Sequence, residues 1–175
     1  MSAGNPIPQR LRVAHLSASR PNEFDIMPDE AARARLAHAL DLDALPALRF
    51  TGAIRASGAD EWALSGRLEA RVVQPCAITL EPVETAITED VALLFSPHVT
   101  PPDEEDVEMG DETTEPLGQW IELGDITLEA LSLALPTHPL APGAAMPGIA
   151  EAAEDEGDLR KPFAGLADLM KRGGR

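Results

Sequence analysis

The sequence predicts an α+β fold built on a mainly antiparallel β-sheet, and two observations carry that expectation. Apolar and polar residues alternate strictly through Glu61–Val73, with a similar run before it, the signature of a hairpin with one buried face over residues 47–73. Two further stretches, near 28–40 and near 126–135, place apolar residues at helical spacing.

Taken in order, Leu11–Leu16 reads as a short edge strand. In the first helix Pro28 suits the opening turn, and Asp29 and Glu30 favour the positive end of the helix dipole. Ala32, Leu36, Ala39 and Leu40 supply its apolar spacing. In the hairpin, Leu48, Phe50, Ile54 and Ala56 are answered by Trp62, Leu64, Gly66, Leu68, Ala70 and Val72, and residues 57–60 (Ser-Gly-Ala-Asp) form the turn. Arg49, Arg55, Arg67 and Arg71 then share its outward face. A second strand pair is expected from Ile78–Leu80 and Thr85–Phe95. Residues 97–118 pack acids among prolines and cannot bury enough apolar area to offset ordering entropy, which predicts a mobile acidic loop. A strand at Trp120–Leu123 leads into the later helix, with Asp125 as its N-cap and Pro136 as its stop. The organisation expected is one domain over 1–135, a Pro/Gly-rich and acidic linker over 136–159, and a basic tail over 160–175. There Phe163, Leu166 and Leu169 recur at helical spacing, the pattern of a short amphipathic helix that orders only against a partner or the body.

Charge is the second source of information. Residues 1–71 carry nine arginines against nine acidic residues, residues 72–159 carry 20 acidic residues and neither Lys nor Arg, and residues 160–175 carry five cations against Asp168. An 88-residue stretch without a fixed cation cannot neutralise phosphates, so RNA contact falls to the first segment or the tail. The acidic stretch attracts a basic protein instead. Aromatic residues are only 3% of the chain, too few for a row of base-stacking faces.

No constellation for catalysis is legible. There is no glycine-rich phosphate loop, and His15, His38, His98 and His138 lack metal-ligand spacing. Cys76 is the single cysteine, so it makes no internal disulfide. Glu81 and Glu84 nearby should raise its thiol pKa, and it reads as a small apolar filler at a strand corner. The expectation is therefore no enzyme, no cofactor, no metal and no small-molecule substrate. No run of 18 apolar residues occurs, which points to a soluble, cytoplasmic chain.

The block from Val73 to Val83 (VQPCAITLEPV) follows the hairpin and precedes a strand, an acidic loop, and Ile121–Glu129 (IELGDITLE). After these come Ala134–Leu140 (ALPTHPL) and Pro162–Leu169 (PFAGLADL). As an ordered set these segments resemble the YceD family of large ribosomal RNA subunit accumulation proteins, in its alphaproteobacterial form. The resemblance implies a non-enzymatic role in 23S rRNA accumulation and large-subunit assembly. It also offers the small basic ribosomal protein L32 as a partner candidate. Many family members carry a second cysteine three residues after the first, whereas this chain has Thr79. Expected contacts to rRNA or a basic ribosomal protein are Arg49, Arg55, Arg67 and Arg71 from the hairpin. The tail adds Arg160, Lys161, Phe163, Leu166, Leu169, Lys171 and Arg172. Two other readings stay open: an acidic α+β interaction domain unrelated to ribosomes, and a Cys76-dependent thiol or metal enzyme.

Overall fold

The computed structural model describes residues 6–99 and 114–144. The chain divides into two units, Met1–Ala141 and Pro142–Arg175, and the fold described below lies in the first.

The elements run β1 (Leu11–Arg12), a 3₁₀ turn (Val13–His15), β2 (Asn22–Ile26), α1 (Glu30–Ala39), β3 (Ala44–Ser57), β4 (Glu61–Pro75), β5 (Pro82–Ser96), β6 (Thr114–Pro116), β7 (Trp120–Ile121) and α2 (Leu123–Ala134). A five-stranded sheet has the order β2-β3-β4-β5-β6, and β1 pairs with β7 in a separate two-stranded ribbon. All neighbours are antiparallel except β5 and β6. The α+β expectation, mainly antiparallel, is what the chain adopts.

The hairpin is longer than residues 47–73 and its register follows the alternation. Leu48 faces Ala70, Phe50 faces Leu68 and Ile54 faces Leu64, all buried. That row continues onto β5 through Ile87, Val91, Leu93 and Phe95. Phe50, Ile54, Leu68, Val72, Leu36 and Leu131 are fully buried and centre the core, so both helices pack their apolar residues into it. The glycines of the hairpin serve this packing. Gly52 stands opposite Gly66, leaving room for Phe24 and Phe50, whose rings meet at 5.0 Å between centroids.

Several boundaries differ from expectation for identifiable reasons. Asp29 lies outside α1 as its N-cap, its Oδ1 accepting from the Ala32 N–H at 2.7 Å, so the helix is shorter at both ends than 28–40. The segment Asn22–Ile26, which alternation over so few residues does not announce, is an edge strand. The expected strand Leu11–Leu16 keeps only two residues before turning. Ile78–Leu80 is a turn rather than a strand, and β5 pairs directly with β4. Leu80 sits there at φ 62°, a conformation with no place in a strand. At the far end of the expected acidic loop, Thr114–Pro116 joins the sheet, while residues 100–113 lie outside the described residues.

The strand at 120 stops at Ile121, and α2 begins at Leu123 with Glu122 at the N-cap, so Asp125 belongs to the first turn instead of capping it. The start of the expected linker is attached to the body. Gln74 Nε2 donates to the Pro136 carbonyl at 3.3 Å and the Ala77 N–H donates to the Pro139 carbonyl at 2.8 Å. The expected C-terminal helix lies outside the described residues.

Candidate functional site

Arg49, Arg55, Arg67 and Arg71 do share one face, because their register partners Glu69, Ala63, Thr51 and Ala47 all lie on the side opposite the core. The same face, however, also carries Glu23, Asp25, Glu61, Glu69, Glu84 and Asp90. Six carboxylates against four guanidinium groups make it net acidic. Arg49 grips Asp25 through two bonds, Nε–Oδ1 at 3.0 Å and Nη2–Oδ2 at 2.7 Å. Arg67 grips Asp90 the same way at 2.8 and 3.1 Å. Arg71 Nη1 lies 3.8 Å from Glu84 Oε1. Both aspartates are held below the usual carboxylate range, chiefly by the arginine hydrogen bond. A guanidinium already forked onto a carboxylate must give up that partner to take a phosphate. Arg55 has no such partner among the described residues.

A different cluster of cations is far less committed. The β1–β7 ribbon places Arg12 directly opposite Trp120, and the ribbon is tied to the chain around it by Val13 N–H to Gln119 O and Gly124 N–H to Gln9 O, both 3.0 Å. The Arg10 guanidinium carbon lies 4.3 Å from the Trp120 ring centroid and that of Arg12 lies 5.8 Å away, within cation–π range. With His15 and Arg20 they line a concave surface of about 720 Å³, to which Glu23 contributes one carboxylate. Arg10 makes one long contact, 3.7 Å, to Glu122. Among the described residues, Arg12 and Arg20 have no carboxylate within ion-pair distance.

This cluster was not visible in the sequence. Arg10 and Arg12 are 108 or more residues from Trp120 along the chain, and only strand pairing brings them together. The signal present was weak: three arginines within 11 residues of one another, without an alternating acid.

Cys76 closes β4 at a corner, fully buried, as expected of a small filler. Its acidity is the reverse of what its neighbours suggested. The thiol pKa is lowered to about 6 by the Thr79 hydroxyl first, then by the N–H groups of Ala141, Thr79 and Ile78, which outweigh the opposing effect of burial. Those N–H groups stand 3.3, 3.4 and 3.5 Å from Sγ. The Glu81 carboxylate accepts from the Thr79 hydroxyl at 3.5 Å, and the Glu81 main-chain carbonyl accepts from the Cys76 N–H at 2.7 Å. The arrangement stabilises a thiolate on a fully buried sulfur. Among the described residues no group of three or more His, Cys, Asp and Glu side chains is placed to hold a metal. The tail residues Arg160, Lys161, Phe163, Leu166, Leu169, Lys171 and Arg172 lie outside the described residues.

A mainly antiparallel sheet packed by two helices, with separated charged surfaces, defines a protein of the α+β class. The comparison with known families narrows this. Residues 64–170, more than half of the chain, match the family described as large ribosomal RNA subunit accumulation protein YceD, and the chain belongs to that family. The match begins inside β4, so the arginines at 10, 12 and 20 precede it and Trp120 falls within it. Comparison with curated proteins and with solved structures gives no match. No helix among the described residues is long and apolar enough to cross a membrane.

Proposed function

We propose that this chain is a non-enzymatic, cytoplasmic factor in large-subunit biogenesis. It holds 23S rRNA precursor with one surface and a small basic ribosomal protein, L32 being the candidate, with its acidic part. The family to which the chain belongs supports the rRNA half of this reading. The observation that carries the choice of surface is the set of weakly committed cations around Trp120, since counterion release needs cations free to meet phosphates. Arg10, Arg12 and Arg20 take the phosphate-contacting role in place of Arg49 and Arg67, whose forked carboxylate partners compete with RNA, and Arg71, held by one long contact to Glu84, contributes as Arg10 does. Arg55 and the tail cations Arg160, Lys161, Lys171 and Arg172 remain contributors, with Phe163, Leu166 and Leu169 as the tail's apolar contacts. Among the described residues Trp120 is the one exposed aromatic and gives one stacking face, so binding is led by phosphate contacts and tolerates sequence change.

The test is sedimentation of cell lysate on a sucrose gradient, with the wild type and with Arg12→Ala/Arg20→Ala. The wild type is expected to co-migrate with large-subunit precursors and the double variant to shift toward free protein, while Arg49→Gln/Arg67→Gln stays with the particle. Wild-type protein found only at the top of the gradient would sink the reading.

A further inference from the structure

The basic partner in that reading needs a seat, and the inference here rests on the reading while naming the seat. In the sheet, β5 is paired with β4 along its whole length, but on its other side β6 covers only Leu94, Phe95 and Ser96. Among the described residues the outer edge of β5 from Pro82 to Leu93 therefore has no strand beside it, and no backbone bond from a loop reaches it. An unpaired edge of this length is a template for another strand. The β5 edge lies along a groove of about 320 Å³ that runs between β5 and α2. Val91, Leu93, Ile126, Ala130 and Ala134 give it an apolar floor, and Leu133 stands at its lip with 81% of its surface exposed. The rim is acidic: Glu89, Glu115 and Glu129 line it, none with a cation at ion-pair distance among the described residues. Glu89 occupies a core-facing register position, opposite Leu68, yet is exposed, so the cover given by the helix ends before it.

We propose that an extended, basic segment of a partner protein adds as a strand to the open edge of β5. On the face of that strand turned to the β5–α2 groove, apolar side chains enter opposite Val91 and Leu93, and Lys or Arg before and after them on the same face meets Glu89, Glu115 and Glu129. Main-chain bonds to the edge supply affinity, and the groove with its acidic rim supplies selection. The rim repels phosphate, which assigns this surface to protein and leaves RNA to the Trp120 cluster.

The test uses the full chain and fluorescence anisotropy with a labelled seven-residue peptide that carries lysine at its first and last positions, valine at the third and fifth, and threonine between, so that lysine and valine share one face. Its counterpart carries N-methyl groups on alternate amides, keeping the side chains but blocking the ladder. The unmodified peptide is expected to bind about 10-fold more tightly than the methylated one, and Leu133→Lys to weaken it by about 10-fold. Leu133 is on the surface, so this variant keeps the fold, checked by an unchanged melting curve. Equal binding of the two peptides overturns strand addition, and undiminished binding by Leu133→Lys overturns the groove. Binding raised about 10-fold by Phe163→Asp/Leu166→Asp would mean that the chain's own tail competes for the seat, and overturns a partner in trans. Failure of the sucrose-gradient test leaves these peptide results standing, so the two readings fail separately.

Discussion

Adding one methyl group at Gly52 should do more harm than any charge change on the sheet. A Cβ there would lie 2.6 Å from Gly66 Cα and 2.7 Å from Phe24 Cζ, and nearer still to the Ser65 carbonyl oxygen. Carbon atoms in contact normally settle at roughly 3.5–4.0 Å. Two of the three obstacles are β4 backbone, so relief requires β3 and β4 to part in the middle of a ladder that runs from Ala47 to Ser57 without interruption. Because two obstacles are main chain, overpacking here falls in the upper part of its usual range, about 2–2.5 kcal/mol, and the stiffer unfolded chain returns about 0.4–1 kcal/mol, leaving a net loss of about 1–2 kcal/mol. For a chain of this size that lowers the melting temperature by about 2–8 °C. Urea titration and thermal melting by circular dichroism read the effect, with the exposed Ser65→Ala as a control expected to stay within about 0.5 kcal/mol of wild type. Phe24→Leu in the Gly52→Ala background should recover only a minor part, because one obstacle is a side chain and two are main chain. A Gly52→Ala protein as stable as wild type would refute the close-approach argument and with it the register assigned to the hairpin.

Three further outcomes follow from other parts of the structure. Because the folded Cys76 pKa is depressed from 9.0 to about 6, the thiolate's stabilisation is complete above about pH 9 and is lost as the pH falls through 6. The stability gap between wild type and Cys76→Ser should therefore widen from pH 6 to 9, and a constant gap would contradict the N–H cage. Asp29→Ala removes the α1 cap and should cost about 1 kcal/mol in urea titration, with Asp29→Asn retaining most of it. Leu80→Gly, at an exposed position held at φ 62°, should raise stability by about 1 kcal/mol, since a left-handed conformation costs an L-residue roughly 1–2 kcal/mol.

The alternation of Leu64, Leu68 and Val72 with charged residues determined a buried face and a strand without help from anything distant, because side chains on a strand repeat every two residues. The same reasoning placed Arg49, Arg55, Arg67 and Arg71 on one surface and α1 near its observed range. It could not tell that Asp25, Glu84 and Asp90 would stand beside three of those arginines, since pairing partners come from strands whose neighbours are chosen by the core on the other face. The acidity of Cys76 was misread for a related reason. Sequence shows side-chain charges, but the groups that act on its sulfur are a hydroxyl and main-chain N–H donors, one of them 65 residues away. Local periodicity thus settled which residues are inside. Only the closure of the sheet and ribbon decided which charges cancel, which stay available around Trp120, and which edge of β5 is left open, because each depends on contacts between segments far apart in the chain.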